Sequence, residues 1–222
     1  MNISPMPRRE YPSETFIYSL CWRWASGLAS FLSHARAHNL DRVPSTGPLL
    51  VAANHASYLD PIYLGCVISR PTQYMAKDTL FRGPLGALIS RLGAFPVRRG
   101  ESDPGAIRTA MRALRSGDAL IMFPEGTRGG GADMLDAQKG VGFLATRTGA
   151  TVLPAYLHGM AEVFGRRRPW PRPGQVEIVF GEPRHYARDD DPGEAAAEVV
   201  RDIGRLRSSV PSLELDHARR AG

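Results

Sequence analysis

Residues 48–62 read PLLVAANHASYLDPI. The first six form an apolar run without polar interruption, the pattern of a short strand buried on both faces. Asp60 followed by Pro61 then marks a helix start, with the carboxylate as N-cap and proline at the first helical position, where a missing N–H is tolerated. The predicted unit is therefore strand, turn, helix, with His55 and Asp60 displayed at a sheet edge. On a continuous helix a spacing of five would point the two side chains to different faces. In a turn the carboxylate can fold back onto the imidazole. Such a pair can act as a general base oriented by a carboxylate. Equally, the histidine can be an ordinary loop residue and the aspartate only a cap; the spacing alone allows both.

Composition narrows the class. The chain has 222 residues, 43% hydrophobic and 23% charged, which suits one globular domain with a sizeable core. A formal net charge of +6 calls for an anionic partner: nucleic acid, a phosphorylated small molecule or an anionic membrane surface. Cys21 and Cys66 have neither metal-ligand spacing nor the density of a disulfide scaffold, so free thiols in a reducing compartment are expected. The apolar stretch near the N-terminus lacks a small-residue cleavage site and runs into a basic, histidine-containing segment. It is therefore not a cleavable signal, and the body of the protein is expected on the cytoplasmic side.

Residues 1–12 are rich in proline and arginine and read as a flexible lead-in. Residues 16–32, FIYSLCWRWASGLASFL, carry one charge, Arg23, and repeat Phe16, Leu20, Trp24, Leu28 and Phe31 at helical spacing. The expectation is a helix that continues in polar form through residues 33–38. Serine, glycine and arginine argue against a membrane span, while two tryptophans suit the lipid–water interface. Packing on the domain core is the other possibility; Arg8, Arg9, Arg23 and Arg36 would favour anionic lipid.

Downstream, strands alternate with helices. A helix is expected over 61–69 and a strand over 72–76 that delivers Lys77, followed by the turn-rich FRGPLG and a short apolar helix ending at Leu92. Residues 93–100, GAFPVRRG, form a strand ending in Arg98 and Arg99, which leave on opposite sides so that one of them can face His55. An amphipathic helix spans 103–116. Then ALIMFPEGTR, residues 119–128, runs a buried strand into a polar turn. There Gly126 permits close backbone approach, Thr127 offers a hydroxyl, Arg128 a planar fork suited to phosphate, and Glu125 a carboxylate to orient Arg128 or accept a substrate hydroxyl. Three glycines at 129–131 predict a mobile loop, and no Walker-type phosphate loop is present. A helix over 139–148 leads to a strand over 151–157, where Pro154 marks either a sheet edge or a bulge near a site. Arg166, Arg167 and Arg168, with Trp170 and Arg172, lie in a proline-rich loop, either gripping a polyanion or merely solvated. A strand over 175–180, a closing amphipathic helix over 193–210 and a frayed tail complete the chain.

This alternation predicts an α/β fold: a single domain with a mixed, largely parallel β-sheet flanked by helices, preceded by an N-terminal membrane-associating helical segment. The expected division is 1–40 for that segment, 41–212 for the α/β domain and 213–222 for the tail. Ligands of such sheets bind outside the carboxyl ends of the strands, where His55, Lys77, Arg99 and residues 125–128 all emerge.

Four stretches, NHASYLD with its H-x4-D spacing, GAFPVRR, FPEGTR and VLPAYLHG, stand in the order and approximate spacing of the signature blocks of glycerolipid acyltransferases. Over residues 49–159 the chain resembles the 1-acylglycerol-3-phosphate (lysophosphatidic acid) acyltransferase family. The resemblance implies that His55 deprotonates the hydroxyl of a lysophospholipid, that Asp60 orients the imidazole, and that the hydroxyl attacks the thioester of acyl-CoA or acyl-carrier protein to give phosphatidic acid. It further implies that Arg99, Glu125, Gly126, Thr127 and Arg128 hold the glycerol phosphate with help from Lys77, and that Pro154 lies on the acyl-donor side or shapes the site. Arg98 departs from the acidic or small residue common before the matched arginine. A thioester is already activated, so no metal or organic cofactor is expected. The implied partners are a lysophospholipid, the acyl donor and an anionic membrane surface at the cytoplasmic face. Alternatives are an acyltransferase for another lysolipid, such as a lyso-aminolipid, and a non-catalytic membrane-peripheral binder, against which the intact His55–Asp60 pair weighs. A nucleic-acid binder finds no support in a recognisable module with interleaved aromatics.

Overall fold

The computed structural model describes residues 23, 24, 27, 29, 33–68, 70–98, 103–124, 132–165 and 170–213. Within them a seven-stranded sheet is built from β1 (Ser33–His38), β2 (Leu49–Ala53), β3 (Thr72–Lys77), β4 (Ala94–Val97), β5 (Ala119–Met122), β6 (Thr151–His158) and β7 (Gly174–Phe180), in the spatial order β1-β7-β6-β2-β5-β3-β4. The helices are α1 (Asp60–Val67), α2 (Gly83–Arg91), α3 (Pro104–Arg115), α4 (Ala132–Thr148), α5 (Met160–Phe164) and α6 (Pro192–Leu206). Strands β2 to β6 run parallel, β7 is antiparallel to β6, and β1 is parallel to β7. The predicted mixed, largely parallel sheet flanked by helices is what forms.

The apolar run that opened the reading is the central strand, with every residue of β2 buried. Its side chains alternate between two cores. Leu49, Val51 and Ala53 pack with Tyr63 and Leu64 of α1 and with Met160 and Val163 of α5. Leu50 and Ala52 pack with Leu114 of α3, Leu144 of α4 and Val199 and Ile203 of α6. A strand covered on both faces has no solvent side on which to place polar residues, which is why its sequence is continuous rather than alternating. Gly142 of α4 has a packing reason: a Cβ there would collide with the Pro192 carbonyl at the start of α6.

One expectation fails, and one pair of alternatives is decided. Residues 33–38 are not the polar end of a helix but strand β1, paired from Ser33 with Gly174 to His38 with Val179. Ser33 and Ala35 turn inward while His34 and Arg36 face out, a period of two that pairing with β7 enforces over local helical preference. Pro154 does not lie at an edge either, since β6 sits between β7 and β2. The proline is tolerated because the ladder slips beside it. The Gly181 N–H donates to the Pro154 carbonyl, and the next pair is Val152 with Arg184. Two residues on one side thus span three on the other, a bulge that leaves the nitrogen of Pro154 with no ladder bond to supply.

Candidate active site

The parallel strands β2 to β6 all release the chain at one edge of the sheet, so the segments that follow them meet there. The first residue beyond β2, Asn54, extends the β2–β6 pairing with its side chain. Its Oδ1 accepts from the Leu157 N–H at 2.7 Å and its Nδ2 donates to the Leu157 carbonyl at 3.0 Å. This clamp fixes where His55 leaves the sheet.

His55 Nδ1 donates to Asp60 Oδ2 across 2.7 Å, with the imidazole side chain 8% exposed and the carboxylate fully buried. The same Oδ2 accepts the backbone N–H of Ala56 at 2.7 Å and of Ser57 at 2.8 Å. Asp60 Oδ1 is buried and meets no donor among the described residues. The carboxylate is therefore committed to the preceding turn and is not the N-cap expected for it. Leu59 occupies the cap position without a side-chain bond, and Pro61 stands in the first turn of α1, one place beyond the first helical position predicted for it. With Nδ1–H given to Asp60, the lone pair of the neutral ring lies on Nε2.

Two further contacts hold the turn. Ser57, buried, donates from Oγ to the Phe164 carbonyl at 2.6 Å and accepts the Leu59 N–H at 3.1 Å, tying the turn to the end of α5. Phe123, directly after β5, stacks on His55 with ring centroids 4.2 Å apart and planes 20° from parallel. Sequence reasoning did not single out Phe123, since it reads there as one more apolar residue of the strand. The stack nevertheless brings the NHASYLD and FPEGTR blocks together.

Other predicted residues are placed differently. Lys77 ends β3 and is exposed, with β5 between β3 and β2. By strand alternation it leaves on the Met75 side, toward the core of α3, α4 and α6, whereas Phe123 packs with the opposite core. Arg98 is engaged at the start of α3: its N–H donates to Asp103 Oδ2 at 3.0 Å and its guanidinium lies 3.8 Å from the same oxygen. Pro154 is buried inside the sheet in register with Ala52. Arg99, Glu125, Gly126, Thr127 and Arg128 lie outside the described residues, as do residues 166–168 and nearly all of the predicted N-terminal helix. Among the described residues no group of three or more His, Cys, Asp or Glu is placed to hold a metal ion, and no helix is long and apolar enough to cross a membrane.

The architecture matches a solved one. The crystal structure of the 1-acyl-sn-glycerophosphate (LPA) acyltransferase PlsC from Thermotoga maritima superposes with a TM-score of 0.73 over 93% of this chain and 84% of that one, at 22% identity, a likeness of fold. In sequence, the 1-acyl-sn-glycerol-3-phosphate acyltransferase of Bacillus subtilis (strain 168) is 27% identical over 176 residues, covering 77% of this chain and 84% of that protein. Its counterpart from Streptococcus pneumoniae is 30% identical over 164 residues, covering 70% of this chain and 58% of that protein. The family described as Acyltransferase matches residues 34–158, from within β1 to the end of β6, so that the His55 turn, the β5 exit and the strands between them all fall inside the match; the chain belongs to the acyltransferase family.

Proposed function

We propose that this chain transfers a fatty acyl group from acyl-CoA or acyl-carrier protein to the free hydroxyl of 1-acylglycerol 3-phosphate, yielding phosphatidic acid at a cytoplasmic membrane face. The observation that carries the reading is the His55–Asp60 pair, 2.7 Å apart and stacked against Phe123 at the carboxyl edge of the sheet. The relatives named for this reaction support the choice of substrate.

In the proposed reaction the acceptor hydroxyl gives its proton to His55 Nε2 as its oxygen attacks the thioester carbonyl. Asp60, hydrogen-bonded to Nδ1–H, fixes the ring's tautomer and stabilises the imidazolium that forms. The tetrahedral intermediate then collapses with cleavage of the C–S bond, and the imidazolium returns the proton to the departing thiolate. Because the thioester is already activated, positioning and proton transfer supply most of what the protein must add. Arg99 and the turn 125–128 are assigned to the acceptor phosphate, and residues 16–32 to the membrane surface.

The test is a panel of lysolipid acceptors assayed with both donors and resolved by product mass. Phosphatidic acid formed from lysophosphatidic acid is expected, and it should be lost in a folded His55→Ala variant. Transfer only to lysolipids without a phosphomonoester would refute the phosphate assignment, and turnover by the folded variant would remove His55 as the base.

A further inference from the structure

Helix α2 buries almost nothing. Along its nine residues, GPLGALISR, Gly86 is the buried one, while Leu85 is 53% and Leu88 47% exposed. The orientation is imposed. A Cβ at Gly86 would collide with the backbone of Phe81, so this position must face the preceding turn, and Ile89 packs on the same side against the core shared with α1. Leu88 then lies on the far side of the helix from Gly86, and Leu85, three residues earlier, is its neighbour on that outer face.

Along the sequence, the charges that flank this helix after Asp78 have one sign. Arg82 precedes α2 and Arg91 ends it, and both are exposed. Among the described residues neither forms an ion pair; Arg91 donates to the Ala87 carbonyl of its own helix. Between Asp78 and Glu101 the sequence has four arginines, at 82, 91, 98 and 99, and no acidic residue. Two leucines at i, i+3 flanked by arginines, on a helix whose other side is held against the domain, form the pattern of an interfacial helix that dips its apolar face below anionic headgroups. α2 also starts a few residues past the carboxyl end of β3, on the edge where His55 stands, and it packs on the same side of the sheet as α1 and the His55–Phe123 stack.

We propose that the outer face of α2, formed by Leu85, Leu88, Arg82 and Arg91, docks on an anionic lipid surface and holds the carboxyl edge of the sheet against the bilayer. The proposal deepens the reading of the chain as a lysolipid acyltransferase, because it supplies a second contact, inside the α/β domain, that presents the site to a membrane-resident acceptor.

The experiment uses the full chain and sedimentation with phosphatidylcholine vesicles, with and without phosphatidylglycerol. L85Q/L88Q should weaken partitioning onto mixed vesicles about tenfold, through loss of apolar burial. R82Q/R91Q should shrink the preference for anionic over zwitterionic vesicles by a similar factor. Both variants alter exposed side chains and should keep the wild-type melting temperature and the wild-type turnover of a short-chain, monomeric lysophosphatidate with a short-chain thioester. Unchanged partitioning of folded L85Q/L88Q would overturn the proposal. A shift in its oligomeric state without loss of vesicle binding would do so too, assigning the face to a second copy of the chain. If the wild type turned over no lysophosphatidate at all, the proposed reaction would fall while the vesicle result still decided the docking face.

Discussion

Asp60 gathers three N–H donors on one oxygen: the His55 ring and the backbone of Ala56 and Ser57. A buried carboxylate held this way has one orientation, and so does the ring it grips. Asp60→Asn keeps the shape but permits the wrong ring tautomer and removes the charge that, in the proposed reaction, stabilises an imidazolium. Its kcat should fall by about a hundredfold or more while KM for either substrate stays near wild type; a drop confined to KM would deny Asp60 the orienting role. Phe123→Ala removes the face against which the ring rests, and kcat should drop about tenfold, the scale of one aromatic pair, with part recovered in Phe123→Tyr. Failure of Tyr to recover more than Ala would mean that the stack merely fills space. His55 and Asp60 were legible in the sequence because their relation is local, closed within one turn. Phe123 was not, because its contact with His55 depends on β5 lying beside β2, which residue spacing along the chain does not reveal.

At the level of elements, α3 is set by the residue just before it. Asp103 accepts from the N–H groups of Gly105 and Ala106, each at 3.1 Å, and also from Arg98 at the exit of β4. The Arg98 and Ala106 N–H groups, the largest influences, hold its carboxyl below the ordinary aspartate range. A folded-state pKa below the unfolded one gives stability that is present above the unfolded value and lost as pH falls through the lowered value. Asp103→Ala should cost about 1 kcal/mol at neutral pH, and the difference from wild type should shrink as urea midpoints are followed into acid through the carboxylate range. A gap that stayed constant with pH would mean that the charge is not what caps the helix. β2, β5 and the helices between parallel strands were legible, since each announces itself by a buried run or an apolar periodicity, whereas the cap at Asp103 was not read in advance. β1 was hidden because its small and polar residues follow an aromatic stretch of helical period, and only the edge of β7 makes its alternation meaningful. Gly142 of α4 shows the opposite case. Glycine weakens a helix by propensity, yet Gly142→Ala should destabilise by about 2 kcal/mol, because the added methyl meets the Pro192 carbonyl; a neutral or raised denaturation midpoint would show that α6 can yield.

For the molecule as a whole, residues from both ends of the described chain are tied to the same body. Near the start, the buried Tyr63 hydroxyl of α1 shares a hydrogen bond with Ser33 at 2.8 Å and donates to the Ala29 carbonyl at 3.3 Å, and burial pushes the phenol pKa up. Near the finish, Glu177 of β7 is buried and accepts from the Ser212 N–H at 3.2 Å and from its hydroxyl at 2.7 Å, with His38 of β1 3.8 Å from its other oxygen. The segment past α6 thus satisfies a carboxylate that its burial on β7 could not leave bare. Removing residues 211–222 withdraws both serine donors and should lower stability by about 2 kcal/mol, the cost of a buried acceptor left without its partners. Glu177→Gln should be mildly harmful in the full chain, where it loses charge-assisted bonds, but should recover part of the deficit in the truncated one, where an unpaired amide is cheaper to bury than an unpaired carboxylate. Urea unfolding of the four chains forms a double-mutant cycle, and its coupling term isolates the contact from any general effect of shortening. A coupling near zero would mean that residues 211–222 stabilise the fold by other contacts and not through Glu177.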